Sequence, residues 1–231
     1  MQHLVLTAVA QRSPLVLLKI DVEKAYDKVD RARLWALLLH HYHFPPALVA
    51  ALQGLYVELS AVIKGRGALS PPFPMRGGVR QGCPCSPLLF SLIYERIVAR
   101  VRELVGARQY AKDVPHVATV AVGLLLYADD LLICARSAPA AARLLAACAT
   151  FCGEAGLTIN AGKCAVLAIN TPADGVRLGD TPIAVVTTLE YLGVGLTARK
   201  SLLRDQLKKS LASARVWALR VQQLAGFLRI T

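Results

Sequence analysis

The stretch LLLYADDLLICA, residues 124–135, sets Asp129 beside Asp130 inside an otherwise apolar run. Burying one carboxylate without a partner is costly, and two adjacent ones repel each other. No Lys or Arg follows until Arg136. A third acid, Asp21, closes another apolar run, LVLLKIDV (15–22). With Asp21 at a strand end and Asp129 and Asp130 at a hairpin tip beside it, three carboxylates converge at one edge of a sheet. Such a cluster calls for cations between the acids, and hard divalent ions with oxygen ligands meet that demand, Mg²⁺ first. Two ions about 3.5–4 Å apart can clamp an in-line phosphoryl transfer, one activating a 3′-hydroxyl and the other steadying the departing pyrophosphate. Taken alone, a Tyr-Ala-Asp-Asp segment is more often an exposed turn.

The elements that must position these acids follow from the pattern along the chain. LVLLKIDV reads as a strand. RARLWALLLHHYHF (31–44) has helical periodicity and is stopped by Pro45-Pro46, and ALVAALQGLYVEL (47–59) reads as a second helix. Residues 59–82 predict a short hairpin around Gly65-Arg66-Gly67 and then a Pro/Gly-rich loop. Ser86 as cap and Pro87 as first helical residue open SPLLFSLIYERIVARVREL. Residues 117–136 read as a hairpin with the carboxylates at its tip, 138–156 as a helix, LTINAGKCAVLAI as strand, turn and strand, and TTLEYLGVGLT (187–197) as another strand and turn. This order predicts an α+β domain, an antiparallel sheet with helices packed on one face.

The bulk numbers bound the partners. With 231 residues, 55% hydrophobic and 18% charged, the chain can bury a sizeable core. Mean hydropathy is +0.46. Even so, every apolar run is cut by charge, Pro or Gly before the ~20 residues a spanning helix needs, so no membrane is expected, and the first residues read as domain sequence. A net charge of +12 favours polyanions, meaning nucleic acid or an anionic surface, although an unpartnered basic surface has the same composition. Six cysteines without a secretory leader predict free thiols, and Cys83-Pro-Cys85 and Cys148-x-x-x-Cys152 lack zinc-site spacing. His40, His41 and His43 fall at a helix end, where the dipole accounts for them.

LKIDVEKAYDKVD, GVRQGCPCSPLLFSLIYE, LLLYADDLLICA, GLTINAGKC and LEYLGVGL stand in the order of the palm motifs of reverse transcriptases. The chain resembles, over residues 15 to 197, the reverse transcriptases of LINE-type, non-LTR retrotransposons. The resemblance implies a polymerase palm spanning 1–197, with 31–90 as a fingers-proximal insertion, and a basic helical tail, 198–231, as the start of a thumb. It implies RNA-directed DNA polymerase activity: two-metal nucleotidyl transfer to a primer 3′-hydroxyl, using two Mg²⁺ ions (or Mn²⁺), an RNA template, a DNA primer and deoxynucleoside triphosphates. Asp21 and Asp129 would be the principal metal ligands, with the Val22 carbonyl helping and Asp130 completing the acidic cluster. Tyr26 matches the aromatic gate that leaves no room for a ribose 2′-hydroxyl. Gln81 and Gly82 match the lining of the nucleotide pocket, Gly82 by allowing close backbone approach. Arg80 is a weaker candidate for phosphate or template contact. Lys163 matches the lysine that protonates or neutralises pyrophosphate, a solvated turn lysine being the alternative. Leu192-Gly193 match the primer grip, while Lys24 and Asp27 read as structural.

Tail residues Arg199, Arg204, Lys208, Lys209, Arg215 and Arg220 could track a duplex backbone, or form a solvated face. Trp35 and Trp217 read as core. The fingers that precede the first aspartate in such enzymes are not recognisable in the twenty residues before Asp21, so the reading is a palm-centred fragment of a longer element, acting in nucleus and cytoplasm. The rival from another class is a catalytically silent remnant that still binds nucleic acid. An RNA-templated RNA polymerase is a third reading, and would require tolerance of ribonucleotides.

Overall fold

LVLLKI lacks an apolar–polar alternation because the strand it forms is covered on both faces. In the computed structural model, which describes residues 2–65 and 67–198, that strand is the middle of the main sheet. The elements run α1 (Gln2–Gln11), β1 (Leu15–Ile20), α2 (Arg31–His40), α3 (Pro46–Gly54), β2 (Ser60–Ala61), β3 (Phe73–Pro74), α4 (Ser86–Val105) and α5 (Ala107–Asp113). There follow β4 (His116–Val117), β5 (Val120–Ala121), β6 (Leu124–Tyr127), β7 (Asp130–Ala135) and α6 (Ala138–Glu154). A 3₁₀ turn, Ala161–Lys163, then leads to β8 (Ala165–Ile169), β9 (Arg177–Leu178), β10 (Thr181–Pro182), β11 (Ala184–Val185), β12 (Thr188–Tyr191) and β13 (Val194–Thr197).

The five-stranded sheet has the order β11-β8-β1-β7-β6. All its pairings are antiparallel except β11 with β8. Alternate residues of the central strands feed two cores. Val16, Leu18, Ile20, Leu131 and Ile133 pack with Phe90, Ile97 and Val101 of α4 and Leu144, Leu145 and Cys148 of α6. On the other face Leu15, Leu17, Leu132, Cys134, Leu167 and Ile169 meet Leu4, Val5 and Ala8 of α1 and Leu189, Tyr191 and Leu196 of the β12–β13 hairpin. The fold is therefore the expected α+β architecture, a central, mostly antiparallel sheet flanked by helices. The second face is also covered, by α1 and the hairpin.

Several element ends differ from the sequence reading. The N-cap of α4 is Cys85, in αR geometry, with Ser86 and Pro87 already inside the helix. The Ser86 hydroxyl is spent on the buried Tyr56 hydroxyl at 3.2 Å rather than on a cap. α3 ends at Gly54, five residues early, where glycine is a poor helix former. The run from residue 117 divides between Ala121 and Leu124, where Gly123 packs so close to Tyr110 that a Cβ would run into its ring; His116–Ala121 makes its own small hairpin. Where the short hairpin is expected, Lys64 is bridged to Leu69 and Gly65 N–H donates to Ala68, with Arg66 outside the described residues. α2 and α6 begin as capping predicts, on Asp30 and Ser137. All six cysteines are free, and burial pushes the Cys134 and Cys152 thiols up to about 12. The tail, with its basic residues and Trp217, lies outside the described residues.

One ion pair with a buried carboxylate joins α5 to α6. Asp113, 4% exposed, accepts from both Arg143 Nη2 (2.7 Å) and Nε (2.9 Å), and from Gln109 (2.7 Å). Burial pushes its carboxyl up, but the Arg143 and Gln109 hydrogen bonds outweigh that and hold it below the ordinary aspartate value of 3.8. Arg143→Met leaves a buried carboxylate with one donor fewer. It should cost about 2–3 kcal/mol in urea unfolding at pH 7, less than the ~3–5 of a fully buried pair because Arg143 is half exposed. A lowered folded value means that this stabilisation is present above about pH 4 and is lost as pH falls through it, so the gap between variant and wild type should close in acid.

Candidate active site at the edge of the sheet

The last paired residues of β1 and β7 are Ile20 and Leu131. One position beyond that pair stands an acid on each strand, Asp21 after Ile20 and Asp130 before Leu131, so the antiparallel register delivers both to the same end of adjacent strands. β6 and β7 are joined by two residues, Ala128 and Asp129, between paired Tyr127 and Asp130. Ala128 has φ +50, a left-handed conformation that costs a non-glycine residue roughly 1–2 kcal/mol. That turn carries Asp129 into a pocket of about 390 Å³ lined by Asp21, Val22, Glu23, Lys24, Asp129, Asn160 and Lys163. Asp21 is held from its other side too: its carbonyl accepts from Asn160 N–H at 2.8 Å, and Glu23 N–H donates to Thr158.

The three acids have different partners. Lys19 Nζ lies 3.6 Å from Asp130 Oδ1, and Lys163 Nζ 4.0 Å from Asp21 Oδ2. Asp129 makes no hydrogen bond or ion pair among the described residues. Among those residues no group of three or more His, Cys, Asp or Glu side chains is gathered so as to hold a metal ion. Asp21 and Asp129 thus share the pocket, whereas Asp130 is engaged by Lys19. Lys19 was missed in the sequence; its signal was the two-residue spacing from Asp21, which puts both on one strand face.

Tyr26, half-buried, lies in the turn after Asp21. Its ring stacks on Phe90 of α4 at 4.6 Å and 14°, and Phe90 meets Tyr94 at 4.6 Å. Burial pushes the Tyr26 phenol up, and the Asp129 charge adds to it. Tyr94 is raised further, chiefly by burial, and its hydroxyl has no hydrogen-bond partner among the described residues. The Gly-rich loop packs against the same turn. Gly78 N–H donates to Val29 (2.9 Å) and Val79 N–H to Tyr26 (2.7 Å). Gly78, at φ +79, has the Tyr26 and Asp27 backbone where its Cβ would stand, 2.7 Å away. Gln81 Nε2 donates to Asp27 Oδ1 at 3.3 Å, which gives Asp27 its structural part. Gly82, by contrast, has φ +84 and open space around it. Arg80 is exposed; its carbonyl accepts from Cys83 N–H at 3.2 Å, and its side chain makes no hydrogen bond or ion pair among the described residues.

Lys163 ends the 3₁₀ turn and is largely exposed. Leu192 and Gly193, with φ of 51° and 71°, form the two-residue turn between β12 and β13. The preceding Tyr191 is buried, donates to the Leu125 carbonyl at 3.4 Å, and is raised to about 12 by burial and then by the Asp130 charge. The hairpin therefore sits beside the acidic edge.

An antiparallel sheet with acids at a hairpin tip, a glycine loop latched on the adjoining turn and a second hairpin alongside is the arrangement of a polymerase palm. Residues 2–196 match the family described as reverse transcriptase (RNA-dependent DNA polymerase), and the chain belongs to that family. It is related to non-LTR retrotransposon Pol proteins. The retrovirus-related Pol polyprotein from type-2 retrotransposable element R2DM of Drosophila melanogaster is 28% identical over 191 residues, 78% of this chain and 17% of that protein. The 149 kDa protein of transposon TX1 from Xenopus laevis is 35% identical over 123 residues, 53% of this chain and 9% of that protein. The chain thus spans under a fifth of these two relatives. Among solved structures, apo telomerase from Candida tropicalis, truncated from its C-terminal domain, shares the fold, with TM-score 0.55 at 14% identity over 86% of this chain and 38% of that one.

The two glycines should separate in a stability measurement. Gly78→Ala adds backbone overlap to left-handed strain and should cost roughly 2–4 kcal/mol in urea unfolding. Gly82→Ala carries the strain alone and should cost about 1–2 kcal/mol.

Proposed function

We propose that this chain catalyses RNA-templated addition of deoxynucleotides to a primer 3′-hydroxyl, with Asp21 and Asp129 binding divalent Mg²⁺. The observation that carries the reading is the shared pocket of Asp21 and Asp129, residues remote in sequence and joined through the β1–β7 ladder. The donor set fits such an ion: hard carboxylate oxygens, those of Asp129 having no cation partner among the described residues, with Val22, which would lend its backbone carbonyl, lining the same pocket. Bound there, Mg²⁺ (or Mn²⁺) supplies Lewis-acid stabilisation of the charge that builds up during phosphoryl transfer.

The chain's own residues do the rest. Asp21 and Asp129 bind and orient, and Asp130, tied to Lys19, steadies the hairpin tip. Tyr26, backed by Phe90, occupies the space a ribose 2′-hydroxyl would need. Gln81 and Gly82 line the nucleotide pocket. Lys163 offers a proton or a positive charge to the leaving pyrophosphate, and Leu192–Gly193 support the primer end. RNA template, DNA primer and deoxynucleoside triphosphates are the partners, and the +12 net charge supports salt-dependent affinity for them. Nuclear and cytoplasmic action as part of a retroelement goes with this reading.

A second reading, a nucleic-acid-binding remnant without catalysis, draws on the lysines already paired with Asp130 and Asp21. Primer extension on poly(rA)/oligo(dT) separates the two. The polymerase reading expects incorporation that EDTA abolishes and that Asp129→Asn or Asp21→Asn lowers by about 10²–10³-fold or more. Tyr26→Ala should raise ribonucleotide use relative to deoxynucleotide. Duplex binding with no incorporation in any divalent ion would favour the remnant.

A further inference from the structure

Arg31, the first residue of α2, reaches across to the glycine loop. Its Nε donates to the Gly78 carbonyl at 2.8 Å and its Nη2 to the Gly77 carbonyl at 2.9 Å. Its guanidinium lies 5.1 Å over the ring of buried Tyr56. Tyr56 is itself fixed by the Ser86 hydroxyl at the start of α4 and by Trp35, 5.5 Å away edge-on. The loop is thus held from two sides. Its Gly78 and Val79 amides donate to the Val29 and Tyr26 carbonyls, while its Gly77 and Gly78 carbonyls accept from Arg31. Three residues further on stands Gln81, which reaches back to Asp27.

We infer that Arg31 is a positioning residue for the nucleotide pocket: it clamps the Gly77–Gly78 backbone and so sets where Gln81 and Tyr26 stand relative to each other. This inference rests on the polymerase reading above for its kinetic consequence, but not for the clamp. Two parallel N–H donors on a flat cation that also stacks on a ring suit arginine specifically. A lysine ammonium keeps the charge and loses both the fork and the stacking. Arg31 does not border the pocket that holds Asp21 and Asp129, so its loss should weaken nucleotide binding without touching the chemical step.

Arg31→Lys, with Arg33→Ala as a control for charge loss at the same helix start, tests this in the full chain. Hydrogen exchange at the Gly78 and Val79 amides should quicken by about tenfold in Arg31→Lys, and KM for deoxynucleotide should rise about tenfold with kcat within about twofold. Arg33→Ala should change none of these. Arg31→Met, which keeps the apolar stem, should reproduce the exchange and KM changes if the fork matters rather than the charge. Unchanged exchange in Arg31→Lys overturns the clamp. Faster exchange with KM unmoved overturns the positioning role. A fall in kcat with KM unmoved overturns it too, because the residue would then act on chemistry. A wild type that incorporates nothing overturns the polymerase reading and the kinetic half of this inference together, while exchange still decides the clamp.

Discussion

The antiparallel register of β1 against β7 governs everything else in this molecule. Ile20 opposite Leu131 sends the side chains of Val16, Leu18 and Ile20 into the helical core and those of Leu15 and Leu17 into the core under α1. A slip of one residue would exchange those faces. It would also move Asp21 off the end of the ladder, away from the turn bearing Asp129. Because both faces are packed, the register is specified twice over, and the acidic edge inherits its placement from apolar burial rather than from any attraction among the acids.

Electrostatics then divides the labour at that edge. Side chains alternate along a strand, so Lys19 shares a face with Asp21 and reaches Asp130 diagonally. Lys163 approaches Asp21 from the 3₁₀ turn. Asp129 has neither. The apolar run with no cation nearby in sequence finds one across the ladder, and the acid with no cation partner among the described residues is the one on the strained turn at Ala128. Both pairs are partly exposed, so each is worth at most about 1 kcal/mol, and a cation brought to Asp21 and Asp129 displaces little.

Much of this was legible in the residues. The helices observed at 86–105 and 138–154 are expected from apolar spacing, with Pro87 marking the first start and Gly153 or Gly156 the second end, and the hairpin tip from a polar dipeptide between two apolar runs. Membership of the reverse transcriptase family was carried by five motifs in order. What escaped had a physical reason in each case. The helix Ala107–Asp113 is only two turns long, too short to display a period. Helix α1 has a weak contrast between its faces, so its LVLTAVA reads equally as strand. The Ser86 cap failed because a tertiary partner, Tyr56, claimed the hydroxyl. Arg31 lies far along the chain from the two carbonyls it serves, and no local pattern announces a side chain whose partners are backbone atoms.

The order of strands has a further consequence. β1, which ends in Asp21, is bordered on both sides by β7 and β8, whereas β6, which leads into Asp129, is the outermost strand, and Tyr127 at its end is 65% exposed. One member of the carboxylate couple is anchored like a keystone and the other hangs from the rim. The turn that carries Asp129 is braced on its β7 side, which is paired with β1, and on its β6 side only by β7 itself, so the two acids enter the pocket from supports of unequal stiffness.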